Sequence, residues 1–304
     1  MKRRDFIVKT GVASSVLGLG STAILNTALN DSTNNSKKIT ILHTNDVHSH
    51  IDPFESTHSK YPNRGGAARR YAYINMVKKQ NPNTLVLDAG DSFQGTPFFN
   101  FYGGELEFKL MSKMGYHAST IGNHEFDNGI ENIAAQLEHA KFSMLNANYD
   151  FKNTILDGMI KPYETYEMDG VKIGVFGLGI ELEGLVSKKL FKETAYNNPV
   201  DVAKDIVKKL KTEENCDLVI CLSHLGYNYS GSKICDIKLA QQTRNIDLII
   251  GGHTHTFLDK PTEVENLDFK KVLVNQVGWA GINMGRIDFY MDRAKASKGA
   301  IIEL

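Results

Sequence analysis

Eight residues of metal-binding type stand in five short motifs. The motifs are Asp46-Val47-His48, Gly90-Asp91, Gly122-Asn123-His124-Glu125, Ser223-His224 and Gly252-His253-Thr254-His255. Carboxylate, amide and imidazole donors together suit zinc, manganese, iron or cobalt. No Cys belongs to the set, which argues against a closed structural zinc site. Eight such groups can hold two divalent ions, and a two-metal site is a device for hydrolysing phosphate esters. Asp46 and His48 are two apart, so on extended backbone both would point to one side. Gly90 permits a tight turn that presents Asp91, whose two oxygens can bridge two ions. Asn123 offers a carbonyl oxygen. His124 is a candidate acid or transition-state stabiliser, with Asp127 placed to orient it through a ring N–H. Each motif alone reads as an ordinary polar loop. Five in one chain, each directly after an apolar run, do not.

Those apolar runs predict the elements that must position the motifs. Ile39–His43, Thr84–Asp88, His117–Ile121, Phe142–Ala147, Val171–Leu178, Leu218–Leu222 and Ile246–Ile250 read as strands. Helical spacing is expected over 66–79, Glu105–Met114, Ile130–Ala140, 199–213 and near 234–243. Asn198 and Pro199 are the N-cap and first position of the fourth helix. A hairpin is expected around Asp169-Gly170. The chain then changes character, with strands at 263–265, 272–277 and 283–291, a turn at Ser297-Lys298-Gly299 and a last strand to Leu304. A βαβα opening and an antiparallel close predict a sheet-rich α/β layered domain. In such a sheet the ligand site lies outside the carboxyl ends of the strands, where the five motifs would converge.

Composition narrows the class. Of 304 residues, 41% are hydrophobic and 23% charged, as in an ordinary soluble globular domain. Net charge is zero, but residues 1–30 carry +3 and the remainder −3. A weakly acidic body lacks the basic footprint of a nucleic-acid binder. Three cysteines, Cys216, Cys221 and Cys235, do not read as a disulfide framework. Residues 1–30 pair Arg3 with Arg4 ahead of a moderately apolar stretch from Val12 to Leu29. That pattern resembles a twin-arginine export signal and predicts a periplasmic or cell-envelope protein, membrane-anchored if the signal is uncleaved. Residues 31–37 read as a polar linker and 38–304 as the folded domain.

The motif set resembles the calcineurin-like metallophosphoesterases, and within them the 5′-nucleotidase and UDP-sugar hydrolase family. The resemblance rests on Ile41–His48, Leu87–Asp91 with Gly95-Thr96-Pro97, Gly122–Asp127, Ser223-His224 and Gly252–His255, in family order. It implies a four-layer α/β/β/α sandwich and a dinuclear centre. One ion is expected on Asp46, His48, Asp91 and His255, the other on Asp91, Asn123, His224 and His253, with His124 and Asp127 as the catalytic pair. The family commonly has Gln or Asn where His255 stands. Arg64-Gly65-Gly66 resembles the segment leading into the first helix, with Arg64 a minor candidate for touching phosphate. The implied reaction is attack of a metal-activated hydroxide on a nucleotide or related phosphate ester. Cyclic nucleotides, sugar nucleotides, a thiosulfate-type ester and a non-catalytic metal-binding subunit are the alternatives. Family members usually continue into a second domain that clamps the nucleoside. The expectation here is therefore a broad phosphatase, with a separate polypeptide resembling that domain completing the pocket.

Overall fold

A computed structural model describes residues 37–291 and 296–304. The expected export signal and all of the expected linker except Lys37 lie outside the described residues. In chain order the strands are β1 (Lys38–Thr44), β2 (Thr84–Asp88), β3 (Ala118–Thr120), β4 (Ser143–Leu145), β5 (Tyr149–Asp150), β6 (Tyr163–Met168), β7 (Val171–Leu178), β8 (Ala195–Tyr196), β9 (Leu218–Ser223), β10 (Leu248–Gly251), β11 (Thr262–Glu265), β12 (Lys271–Asn275), β13 (Asn283–Tyr290) and β14 (Ala296–Glu303). The helices are α1 (Ala67–Gln80), α2 (Pro97–Tyr102), α3 (Glu105–Met114), α4 (Gly129–Gln136), α5 (Lys188–Phe191), α6 (Pro199–Thr212) and α7 (Asp236–Gln242).

Two six-stranded sheets face each other, ordered β14-β13-β1-β2-β3-β4 and β11-β12-β10-β9-β7-β6. Strand alternation decides which side chain enters which layer. Ile39 and Ile41 of β1, Leu85 and Leu87 of β2, and Leu218, Ile220 and Leu222 of β9 fill the space between the sheets. The residues between them face outward. Leu42 and Val86 pack with α1, α3 and α4, while Val219 and Cys221 pack with α6 and α7. Sheets covered on both faces read as continuous apolar runs, and the resulting layers are the expected α/β/β/α sandwich.

α6 begins as its sequence predicts. The Asn198 side chain accepts hydrogen bonds from the amides of Val200 (2.9 Å) and Asp201 (3.2 Å), with Pro199 following. The carboxyl-terminal part departs from expectation twice. β12 is not antiparallel to everything near it but runs parallel to β10. The expected turn at Ser297-Lys298-Gly299 is instead strand, with Ser297, Lys298 and Gly299 paired to Phe289, Asp288 and Ile287. Gly299 is there for space, since a Cβ would lie 2.4 Å from Pro261 Cγ. Local composition suggested a turn; the β13 ladder overrode it. The short α2 and α5 were not anticipated, being too brief to show a period. Among the described residues no helix is long and apolar enough to cross a membrane.

Candidate metal centre

β1, β2 and β3 run parallel to one another, as do β7, β9, β10 and β12. The loops after β1, β2, β3, β9 and β10 carry all nine residues singled out from the sequence, and the structure brings all nine together. Asp46, His48 and His255 form one cluster; Asp91, His224 and His253 form a second. Asn123 joins the second, its Oδ1 lying 2.8 Å from His253 Nδ1. His124 and Asp127 sit alongside, with Nδ1 2.8 Å from Asp127 Oδ2 and the His124 ring edge-on to His48 at 5.2 Å.

The reason Asp46 and His48 reach one point differs from the strand alternation expected. β1 ends at Thr44, and both residues lie in left-handed backbone, at φ 49° and 48°. Asp91, His253 and His255 do the same, at 54°, 69° and 50°. Such conformations are uncommon for residues with a side chain and persist where the surroundings dictate them. Here the loops dictate each other. The amides of Asp46, His48 and Ser49 donate to the carbonyls of Gly90, Asp91 and Ser92 at 2.9–3.0 Å, so the first two motifs run side by side.

The donor atoms fit cations. The His48 Nδ1–H donates to the Phe93 carbonyl (3.2 Å), leaving Nε2 as a lone pair 3.0 Å from His255 Nε2 and 3.9 Å from Asp46 Oδ1. His224 Nδ1–H donates to the Ala89 carbonyl (2.7 Å), leaving Nε2 3.0 Å from Asp91 Oδ2. That contact is close but lacks hydrogen-bond alignment, so a fully buried ring nitrogen stands without a proper partner. Lone pairs converging on lone pairs need a positive charge between them. Asp91 Oδ2 also lies 3.8 Å from His48 Nε2, facing both clusters, while its Oδ1 accepts the His124 amide at 2.8 Å.

Electrostatics agree with this donor set at two of its histidines. Burial pushes the His253 imidazole down to about 4 and also lowers His48, keeping both neutral as ligands require. Burial works against charge at Asp91 and His224 as well. Their mutual contact overrides it, holding Asp91 well below the carboxylate range and His224 up to about 10, so in the metal-free site His224 keeps a proton that a bound cation would have to displace to use its Nε2. The hydrogen bond to Asp127 raises His124.

Four residues beside these were not assigned a role from the sequence. Buried Glu125 accepts the amides of Gly122 (2.7 Å), Asp91 (2.9 Å) and Ser92 (2.7 Å), tying the second motif to the third. Asn45 donates to Asp46 Oδ2 (2.7 Å) and to the Gly278 carbonyl (2.6 Å). Gln276 donates to the Gly252 carbonyl (2.6 Å) and accepts the Thr256 amide (2.5 Å), spanning the loop of both His253 and His255. Trp279 lies nearly parallel to the His255 ring. Glu125 and Asn45 adjoin assigned residues, which is a usable signal; an isolated Gln gives none. Asp88 has a structural role, accepting Thr44 Oγ1 (2.6 Å) and the Gly90 amide (2.9 Å). Arg64 is paired with Glu303 at 2.5 Å.

Residues 39–257 match the family model of the calcineurin-like phosphoesterases. The chain belongs to that family. Among calcineurin-like phosphoesterases it is 34% identical over 286 residues to the trifunctional nucleotide phosphoesterase protein YfkN of Bacillus subtilis, covering 84% of this chain and 18% of that protein. It is 35% identical over 231 residues to the 5′-nucleotidase of Rattus norvegicus, covering 73% of this chain and 39% of that enzyme. The crystal structure of a 5′-nucleotidase precursor from Thermus thermophilus superposes with a TM-score of 0.81 at 34% identity, covering 88% of this chain and 55% of that one. The chain thus spans well under half the length of both curated relatives.

Proposed function

We propose that this protein is a dinuclear metal-dependent phosphomonoesterase acting on nucleotides or closely related phosphate esters. One observation carries the reading. Two carboxylate–imidazole clusters share a face, and beside them stands a His–Asp pair that metal binding does not require. Asp46, His48 and His255 would hold one divalent ion and Asn123, His224 and His253 the other, with Asp91 shared. Ions there would supply Lewis-acid polarisation of the phosphoryl oxygens. Asp127 accepts the Nδ1–H of His124 and so fixes its tautomer and raises its proton affinity. The side chain is about one-third exposed (34%), open to a substrate at the centre. From that position the imidazolium can stabilise charge on the transferring phosphoryl group or give its Nε2 proton to the leaving oxygen. The names of the relatives support nucleotides as the substrate class.

The test is phosphate release from nucleoside monophosphates, an aryl phosphate, a cyclic nucleotide and a sugar nucleotide, before and after chelation and reloading with zinc or manganese. Monoester hydrolysis should depend on metal. His124→Ala should lower kcat by about 10²–10⁴ while bound metal stays unchanged. A fully loaded chain that releases phosphate from no monoester would overturn the reading. Metal lost in His124→Ala would move that residue among the ligands.

A further inference from the structure

We infer that the ring surface running outward from His255 is a leaving-group subsite for a planar aromatic moiety, the base of a nucleotide or an aryl ring. The inference rests on the phosphoesterase reading above, adds which part of the ester this domain grips, and stands in place of the expectation of a broad phosphatase whose pocket a separate polypeptide completes. Trp279, the single tryptophan of the chain, lies 5.8 Å from the His255 ring at an interplanar angle of 8°. Phe54 meets Trp279 edge-on at 6.0 Å, Tyr61 follows Phe54 at 5.8 Å, and Phe257 lies nearly parallel to Tyr61 at 6.0 Å and 22°. A phosphoryl group at the metal centre would therefore have its ester substituent beside a continuous row of rings.

Packing alone does not account for the row. Core aromatics of this protein, such as Phe93, Phe108 and Phe126, are wholly buried, whereas Phe257 is 42% exposed and Trp279, Phe54 and Tyr61 are partly exposed. Partly exposed rings grouped on one surface are the kind of apolar feature that marks a binding site. Left-handed backbone on both sides presents the indole. Trp279 stands between Gly278 at φ 84° and Ala280 at φ 56°, and a Cβ at Gly278 would meet the Phe257 ring at 2.3 Å. The same loop is pinned to the metal-binding loop, the Ala280 amide donating to the Asp46 carbonyl (2.8 Å) and Asn45 to the Gly278 carbonyl. The position of the indole relative to Asp46 is thus set by the backbone. Aromatic faces stack on any base, because every base has a π-face. The row predicts a preference for aromatic leaving groups with little discrimination among bases.

The experiment compares kcat/KM for a nucleoside 5′-monophosphate and for ribose 5-phosphate on the metal-loaded chain, in wild type, Phe257→Ser and Tyr61→Ser. Among the described ring contacts, neither substituted ring meets a proposed ligand. Wild type should favour the nucleotide by about tenfold, mainly through KM, in keeping with the strength of base–aromatic stacking. Each variant should lose several-fold on the nucleotide and stay within about twofold of wild type on ribose 5-phosphate. Equal use of the two substrates by wild type, or equal losses on both in the variants, overturns the subsite. A second arm needs no turnover: a free nucleoside should quench Trp279 fluorescence saturably where ribose does not, and less tightly in Phe257→Ser. If wild type hydrolyses neither ester, the phosphoesterase reading fails, and the quenching alone then decides whether the rings bind a base.

Discussion

His43 and His117 show what burial does to a histidine that meets no carboxylate among the described contacts. His43 is fully buried, accepts Asn275 Nδ2 at 2.8 Å through Nε2, and is pushed by burial down to about 3. His117 accepts the Val86 amide at 3.0 Å and is pushed by burial to about 4. In the unfolded chain both titrate near 6.5. Below that pH the unfolded state takes up protons that the folded state refuses. Stability is therefore complete above pH 6.5 and falls as pH drops toward 4 and 3, by up to about 1.4 kcal/mol per pH unit per group. Urea unfolding of chelated protein at pH 7 and pH 5 should show the loss. His117→Asn should make the slope shallower by roughly 1 kcal/mol per pH unit, and an unchanged slope would mean that His117 is charged in the fold. The contrast with His224 lies in its neighbours, chiefly Asp91, then Asp46 and the Ala89 carbonyl.

Between residue and fold stands the short turn His124–Phe126. Its Glu125 side chain gathers amides from two loops, including the amide of Asp91, the carboxylate that faces both clusters. Burial raises the Glu125 carboxyl, yet its acceptor role is the one the surrounding N–H groups need. Glu125→Gln would turn one acceptor into an NH₂ donor pointed at amide donors. The expected result is metal affinity weakened by about 10–100-fold, the range for residues that orient ligands, with kcat largely restored at saturating metal. Normal affinity in that variant, measured by competition with a chelator, would show that the loops hold Asp91 without it.

At the scale of the whole molecule, the weakly acidic folded body and the basic amino-terminal segment are separate matters. The paired Arg3-Arg4 ahead of Phe6-Ile7 lies outside the described residues, and export by a twin-arginine route is a proposal from sequence alone. Such a route carries folded cargo, compatible with a centre loaded with metal before export. Replacing Arg3 and Arg4 with Lys should leave the protein in the cytoplasmic fraction. Unchanged export would point to another route.

Sequence alone determined the donor types, their order along the chain and the layers that carry them. Leu218, Ile220 and Leu222 alternate with Val219 and Cys221 because a strand turns successive side chains to opposite faces, and that period is local enough to read directly. Asn198-Pro199 marked a helix start for the same reason, since its hydrogen bonds reach only two and three residues ahead. Tertiary structure alone decided the rest. Left-handed backbone at Asp46 and His48 is held by hydrogen bonds to Gly90 and Asp91, Asn45 binds Val277 across 232 positions, and Trp279 meets Phe54 and His255 from three different loops. None of these has a period, and each exists only once two sheets have brought their strand ends to one edge.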